Sequence, residues 1–85
     1  MTFFTTKEEI KKWLEKGKEK NASHVVIVCD EFSNEDYPVY VTHEQDVTEI
    51  TKKYHDKNMQ KVIEVYSLRK DFDEQLNKAR CFNYD

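Results

Sequence analysis

The run HVVIVCDE, residues 24–31, decides the fold of this chain. Four of its eight residues are β-branched, which favours a strand, and the apolar stretch is continuous instead of alternating. Alternation along a strand divides its side chains between two faces, with Val26 and Val28 on one and Val25, Ile27 and Cys29 on the other. Because both faces are apolar, the sequence predicts a central strand that is covered on both sides.

Two further strands are predicted, one on either side of this one. YPVYVTH, residues 37–43, is the second strand, and its Pro38 belongs at a strand start or a sheet edge because proline has no amide hydrogen to donate. MQKVIEVYSL, residues 59–68, is the third strand. Alternation places its side chains on two faces, with Val62, Glu64, Tyr66 and Leu68 on one and Ile63 and Val65 on the other.

Three helices are predicted from their capping patterns. Thr6 with Glu9 begins a helix over about residues 7–20. Gly17 falls on its apolar stripe, and we interpret it as a point where the helix approaches the sheet closely. The second and third helices begin at caps formed by Asp46 with Glu49 and by Asp71 with Glu74, reach about Lys57 and Ala79, and carry Val47, Ile50, Phe72 and Leu76.

These elements predict one α+β domain over residues 1–85 in the order α-β-β-α-β-α, with an antiparallel sheet of strand order 2-1-3. We expect helices one and two on the same face of the sheet. Val25, Ile27 and Cys29 would then be covered either by the third helix or by a second copy of the chain, so a homodimer is predicted. The aromatic end, residues 81–85, is expected to dock instead of fraying.

The composition excludes several classes of function. The chain has 85 residues with 14 basic and 17 acidic side chains, so it lacks the basic excess typical of a nucleic-acid-binding protein. A single glycine excludes the glycine-rich phosphate-binding loops. Two cysteines favour reduced thiols in a cytosolic protein. No apolar stretch approaches the length of a membrane span, so no membrane association is predicted.

Catalytic and metal-binding patterns are also missing from the sequence. None of the three histidines lies close to a serine or cysteine in a nucleophile motif, and Cys29 lies within a strand, where a thiol is usually inert. No paired cysteine or histidine spacing suits zinc. The sequence therefore predicts a non-enzymatic protein with no catalytic residue, no metal site and no cofactor.

Residues 30–36, which we call the acidic segment, carry four acids and no base, from the end of the first predicted strand to the start of the second. Acids here would cap and solvate a hairpin loop and prevent edge pairing with other chains. The alternative is a negative patch beside aromatic rings that binds a basic, aromatic-rich partner. In that interpretation the partner-binding residues are Asp30, Glu31, Phe32, Glu35, Asp36 and Tyr37.

A second hypothesis concerns the sequence KNMQ, residues 57–60, between the second helix and the third strand. A left-handed cap at Asn58 would explain it structurally. The functional alternative is a small-ligand or nucleotide-binding protein that acts as an oligomer. Its ligand-binding residues would be Tyr40, Lys57, Asn58, Gln60 and Tyr66.

Four stretches carry a resemblance to a known group of proteins: VVIVCDEF at 25–32, EDYPVYV at 35–41, KNMQKVIEVYSL at 57–68 and FNYD at 82–85. They resemble short proteins of bacteriophage and prophage genomes for which no activity is established. The resemblance implies a small cytoplasmic protein inside a bacterial host cell. By analogy with small phage proteins, it also implies an accessory or inhibitor protein whose partner is a host protein.

Overall fold

The structure is a computed structural model that describes residues 6–33, 35–55, 59–78 and 81–84. Its elements are α1 (Lys7–Glu19), β1 (His24–Asp30), β2 (Glu35–Val41), α2 (Val47–Tyr54), β3 (Gln60–Ser67) and α3 (Phe72–Leu76). The α+β class and the element order are confirmed. α2 is shorter than predicted, and the predicted helix ends at Lys57 and Ala79 lie outside the described residues.

The sheet has the strand order β2-β1-β3, and β1 is antiparallel to both neighbours, as predicted. The residues from Val25 to Val28 are completely buried, which confirms a central strand covered on both faces. Pro38 lies on β2 and pairs with Ile27 of β1. Because β2 is an edge strand, the missing amide hydrogen of proline is tolerated there.

The helices α1 and α2 cover opposite faces of the sheet, so the prediction that they share one face is wrong. Ile10 and Leu14 of α1 join the cluster of buried residues that contains Val25 and Ile27. Val47 of α2 belongs instead to a second cluster, with Val26, Val28, Val41, Val62 and Val65. The physical reason is that β1 is apolar on both faces, so each face needs its own helix. The uncovered sheet face that motivated the homodimer is covered by α1. The homodimer itself stays a prediction.

A β-bulge in β3 changes which side chains share a face. Ile27 of β1 lies opposite Glu64, whereas the next residue, Val28, lies opposite Val62, so Ile63 is an extra residue in β3. Val62 and Val65 consequently pack on the α2 face, whereas Tyr66 packs on the α1 face. The prediction that Val62 shares a face with Tyr66, and Ile63 with Val65, is therefore wrong.

All three helices begin at the predicted caps. The side-chain oxygens of Thr6, Asp46 and Asp71 accept hydrogen bonds from the amides of Glu9, Thr48 and Asp73, at 3.2, 2.9 and 3.0 Å. Such bonds satisfy amides that have no partner within the helix. They also fix where each helix leaves the loop before it.

The segment after α3 docks on β3 and extends the sheet. The amide of Val65 donates to the carbonyl of Cys81 at 2.7 Å, and the amide of Asn83 donates to the carbonyl of Val65 at 3.0 Å. Phe82 therefore forms a parallel bridge with Val65. Docking of the aromatic end is confirmed for residues 81–84.

The buried side chain of Gln75 fastens α3 to the end of β3. Its Oε1 accepts from the Ser67 amide and its Nε2 donates to the Ser67 carbonyl, both at 2.8 Å. The side-chain amide thus pairs with one residue of β3 much as a neighbouring strand would. Its Nε2 also lies 3.2 Å from the carbonyl of Asp71, so the same side chain secures the start of α3.

Replacing Gln75 with methionine should destabilise the fold by about 2–4 kcal/mol, because both polar backbone groups of buried Ser67 would lose their partner. Urea denaturation measures this change in the free energy of unfolding. The control is Glu74→Ala on the exposed side of the same helix, which should change stability by less than about 0.5 kcal/mol. Equal effects of the two substitutions would contradict the role given to the Gln75 amide.

Gly17 lies where α1 comes closest to the sheet, which confirms our interpretation of this glycine. A Cβ atom at this position would lie 2.9 Å from Cγ2 of Val25, 3.1 Å from Cδ1 of Leu68 and 3.2 Å from Cδ1 of Tyr40. The first of these distances is shorter than a van der Waals contact between carbon atoms. The Val25 methyl belongs to a buried central strand, so it has little freedom to move.

The substitution Gly17→Ala should therefore lower stability, although alanine is the better helix former. Overpacking costs about 1–3 kcal/mol, whereas the gain in helix propensity is at most about 1 kcal/mol. We expect a net loss of about 1 kcal/mol, measured by thermal or chemical denaturation. Glu15→Ala, on the exposed side of α1, serves as the control, and a Gly17→Ala protein more stable than wild type would refute the close approach.

Candidate functional site at the hairpin tip

Two hydrogen bonds between described residues hold Glu31 and Phe32, which follow β1, in place. Asp30, whose pairing with Glu35 closes the hairpin, accepts a hydrogen bond at Oδ1 from the amide of Phe32 at 3.0 Å. The amide of Glu31 donates to the carbonyl of Met59, just before β3, at 2.7 Å. The loop is therefore tied both to its own hairpin and to the neighbouring strand.

Two large apolar side chains are exposed at this end of the molecule. Phe32 is 82% exposed and Met59 is 59% exposed. The hydrogen bond from Glu31 to Met59 brings the two chain segments together, and we call Glu31, Phe32 and Met59 the hairpin tip. The tip therefore offers an aromatic ring and a flexible thioether beside a carboxylate, a combination suited to contact with another molecule.

Met59 was missed as a candidate residue in the sequence. Its φ angle is 60°, in the left-handed region that costs a residue with a side chain about 1–2 kcal/mol. The left-handed residue predicted from the sequence is Asn58, which lies outside the described residues. No local pattern reveals Met59 as part of a site, because it meets Glu31 only through the pairing of β1 with β3.

The four acids of the acidic segment do not lie on one face. Asp30 lies two residues after Val28 in β1, so it shares the α2 face with Val28. Glu35 pairs with Asp30 and therefore lies on the same face. Asp36 pairs with Cys29 and lies on the α1 face. Glu31 lies at the tip between them. The negative charge therefore surrounds the tip from two sides instead of forming a single flat patch.

Tyr37 packs beneath the hairpin tip instead of forming part of its exposed surface. It is half-buried and packs against the α2 cluster together with Tyr54. Its hydroxyl accepts a hydrogen bond from Nε2 of Gln60 at 2.6 Å, which joins the beginnings of β2 and β3. Burial raises the pKa of the Tyr37 hydroxyl, and the nearby Tyr54 and Asp30 raise it further, so the phenol stays protonated at neutral pH.

Among the described residues proposed to bind a ligand, the fold places Tyr40 and Tyr66 on one face of the sheet and Gln60 on the other. Tyr40 and Tyr66 pack on the α1 face, whereas Gln60 bonds to Tyr37 on the α2 face. Tyr66 is only 1% exposed, and its hydroxyl donates to Oε2 of Glu64 at 2.6 Å. Lys57 and Asn58 lie outside the described residues.

A groove beside α2 was also missed in the sequence. It has a volume of about 370 Å³ and lies between α2, β3 and the docked C-terminal segment. We call it the C-terminal groove, and its lining residues are Thr51, Lys52, His55, Val62, Phe82 and Tyr84. Phe82 and Tyr84 near the end of the sequence indicated an interface, but nothing in the sequence indicated a groove.

Two features do not occur in the part of the chain that the structure describes. No group of three or more histidine, cysteine, aspartate and glutamate side chains is arranged there to hold a metal ion. Among the same residues, no helix is long and apolar enough to cross a membrane.

Comparison with known proteins found no similarity that could assign a function. No protein family matches the chain, and no curated protein or solved structure is significantly similar to it. What the chain binds must therefore be inferred from the geometry of the tip and the groove.

The environment of Cys29 makes its thiol a poor nucleophile. Burial raises the pKa of Cys29, and the carboxylate of Asp36 raises it further, both by accepting a hydrogen bond from the thiol and by its charge. Glu31 and Asp30 add smaller contributions of the same sign. The reactive thiolate is therefore disfavoured at neutral pH.

We expect Cys29 to react slowly with iodoacetamide at about pH 8, with a rate that increases as the pH approaches the raised pKa of the thiol. Asp36→Asn removes a negative charge, lowers the pKa of Cys29 and should accelerate the reaction severalfold. Mass spectrometry of the peptide containing Cys29 measures the rate, and Glu44→Gln in an exposed loop is the control. An unchanged rate in Asp36→Asn would show that Asp36 does not suppress the thiolate.

Proposed function

We propose that the chain is a non-enzymatic binding protein whose hairpin tip contacts a partner protein. The observation that supports this proposal is the 82% exposure of Phe32 at the end of a loop that two hydrogen bonds hold in place. An aromatic side chain on a fixed loop loses little conformational entropy on binding, so more of its burial contributes to affinity. Aromatic anchors of this kind dominate many protein interfaces.

The surroundings of Phe32 favour a partner with an apolar pocket and a basic rim. Met59, bonded through its carbonyl to the residue before Phe32, adds adaptable apolar surface at the same end of the molecule, and Asp30, Glu31 and Glu35 add carboxylates there. Lysine or arginine side chains on the partner would meet these carboxylates and accelerate association. Acids at the rim of an interface affect the rate and its salt dependence more than they affect the final affinity.

The proposed setting is the cytoplasm of a bacterial host cell, with the chain acting as a phage-associated accessory or inhibitor protein. The support for this setting is the resemblance of residues 25–32, 35–41 and 57–68 to short phage proteins. The partner would then be a host protein whose own interface is blocked by the tip. This setting depends on analogy, whereas the role of the tip depends on its geometry.

Phe32→Ala should abolish retention of a partner by the immobilised protein in bacterial lysate, without changing its melting temperature, because Phe32 makes almost no contact within the fold. The double substitution Glu31→Lys, Glu35→Lys should slow association and remove its acceleration at low salt. The charge-matched control is Glu15→Lys, Glu44→Lys, at exposed positions away from the tip.

Quantitative mass spectrometry compares what each immobilised variant retains. The expected result is one or more proteins retained by wild type and by the control, but not by Phe32→Ala. If the same proteins were retained by wild type and Phe32→Ala, the tip would not be the binding surface. The acids of the acidic segment would then serve only to solvate the hairpin.

A further inference from the structure

The C-terminal groove exists because α2 does not cover the whole of its face of the sheet. α2 has only 8 residues, and Val47 and Thr51 are its buried positions. The docked C-terminal segment lies beside β3, and Phe82 lies on the α2 face because it bridges to Val65. Phe82 and Tyr84 therefore remain 48% and 44% exposed beside the helix.

The residues of the groove combine apolar walls with basic groups. Val62 and the rings of Phe82 and Tyr84 provide the apolar surface, whereas Lys52 of α2 and His55 just after it are the basic residues of the lining. The hydroxyl of Thr51 already donates to the carbonyl of Thr48 at 2.7 Å. Lys52 is therefore the lining residue of α2 whose side chain can offer a positive charge to a ligand. None of the described residues that line the groove is acidic.

We propose that the C-terminal groove binds a small planar aromatic molecule that carries one anionic group, a phosphate or a carboxylate. The ring of the ligand would stack on Phe82, which its bridge to Val65 holds in place, and its anion would bond to the ammonium of Lys52. The volume of about 370 Å³ lies within the range of small-molecule sites. This ligand site is independent of the hairpin tip, because the two surfaces share no residue.

The test uses the whole chain and probes that separate the ring from the charge. AMP combines a ring with a phosphate, and indole-3-acetate combines a ring with a carboxylate. Adenosine and indole have the rings alone, and inorganic phosphate has the charge alone. Nitrogen–proton NMR titration follows binding residue by residue. We expect AMP or indole-3-acetate to shift the signals of Thr51, Lys52, Val62 and Phe82, and to bind roughly tenfold more tightly than its uncharged ring.

Two variants and one matched control complete the experiment. Lys52→Ala should weaken binding of the anionic probe roughly tenfold and leave the uncharged rings unaffected. Phe82→Leu keeps an apolar bridge residue but removes the ring, and should weaken binding roughly tenfold. Lys53→Ala removes the adjacent lysine, which lies 5.9 Å from the ring centre of Tyr54 and does not line the groove, and should change nothing.

The outcome also identifies the anionic group. Tighter binding of AMP supports a phosphate ligand, and tighter binding of indole-3-acetate supports a carboxylate ligand. The proposal is overturned if neither binds at millimolar concentration, or if the uncharged rings or phosphate alone bind as tightly. Equal losses in Lys52→Ala and Lys53→Ala would likewise overturn it, because the charge effect would then not come from the groove.

Discussion

The complete burial of β1 is the constraint on which the rest of the structure depends. The four residues from Val25 to Val28 have no exposed surface, and they face alternately towards two clusters of buried residues. A strand of this kind requires a neighbour on each side and a helix on each face. The sheet order β2-β1-β3 and the opposite placement of α1 and α2 both satisfy this requirement.

Local patterns were enough to predict the elements, but not every contact between them. The caps at Thr6, Asp46 and Asp71 act within a few residues, so they can be recognised in the sequence and recur in the structure. The bulge at Ile63 depends on how β3 pairs with a strand much earlier in the chain, and no pattern within β3 reveals it. One extra residue was enough to move Tyr66 to the opposite face from Val62.

The candidate sites were harder to predict for the same reason. The acidic segment was visible in the sequence, but the second strand was predicted to begin at residue 37. Its pairing with β1 shows that β2 begins at Glu35, which places Asp36 on the opposite face from Asp30 and Glu35. Met59 joins the tip only through its hydrogen bond with Glu31, which is a contact between distant parts of the chain. The C-terminal groove likewise depends on the parallel bridge between Phe82 and Val65. Each of these contacts follows from tertiary pairing and not from local periodicity.

The packing that buries β1 leaves two separate apolar surfaces at the margins of the sheet. Among the described residues, the large hydrophobic side chains that remain exposed are Phe32, Met59, Phe82 and Tyr84. Phe32 lies beyond Asp30 and Glu35, the last residue pair of the hairpin. Phe82 lies beside β3, beyond the reach of the short helix α2. The helices that cover β1 therefore cover neither of these two side chains. The four side chains thus occupy two places instead of being scattered singly over the surface. Acids surround the tip whereas Lys52 borders the groove, so the two surfaces suit partners of opposite charge.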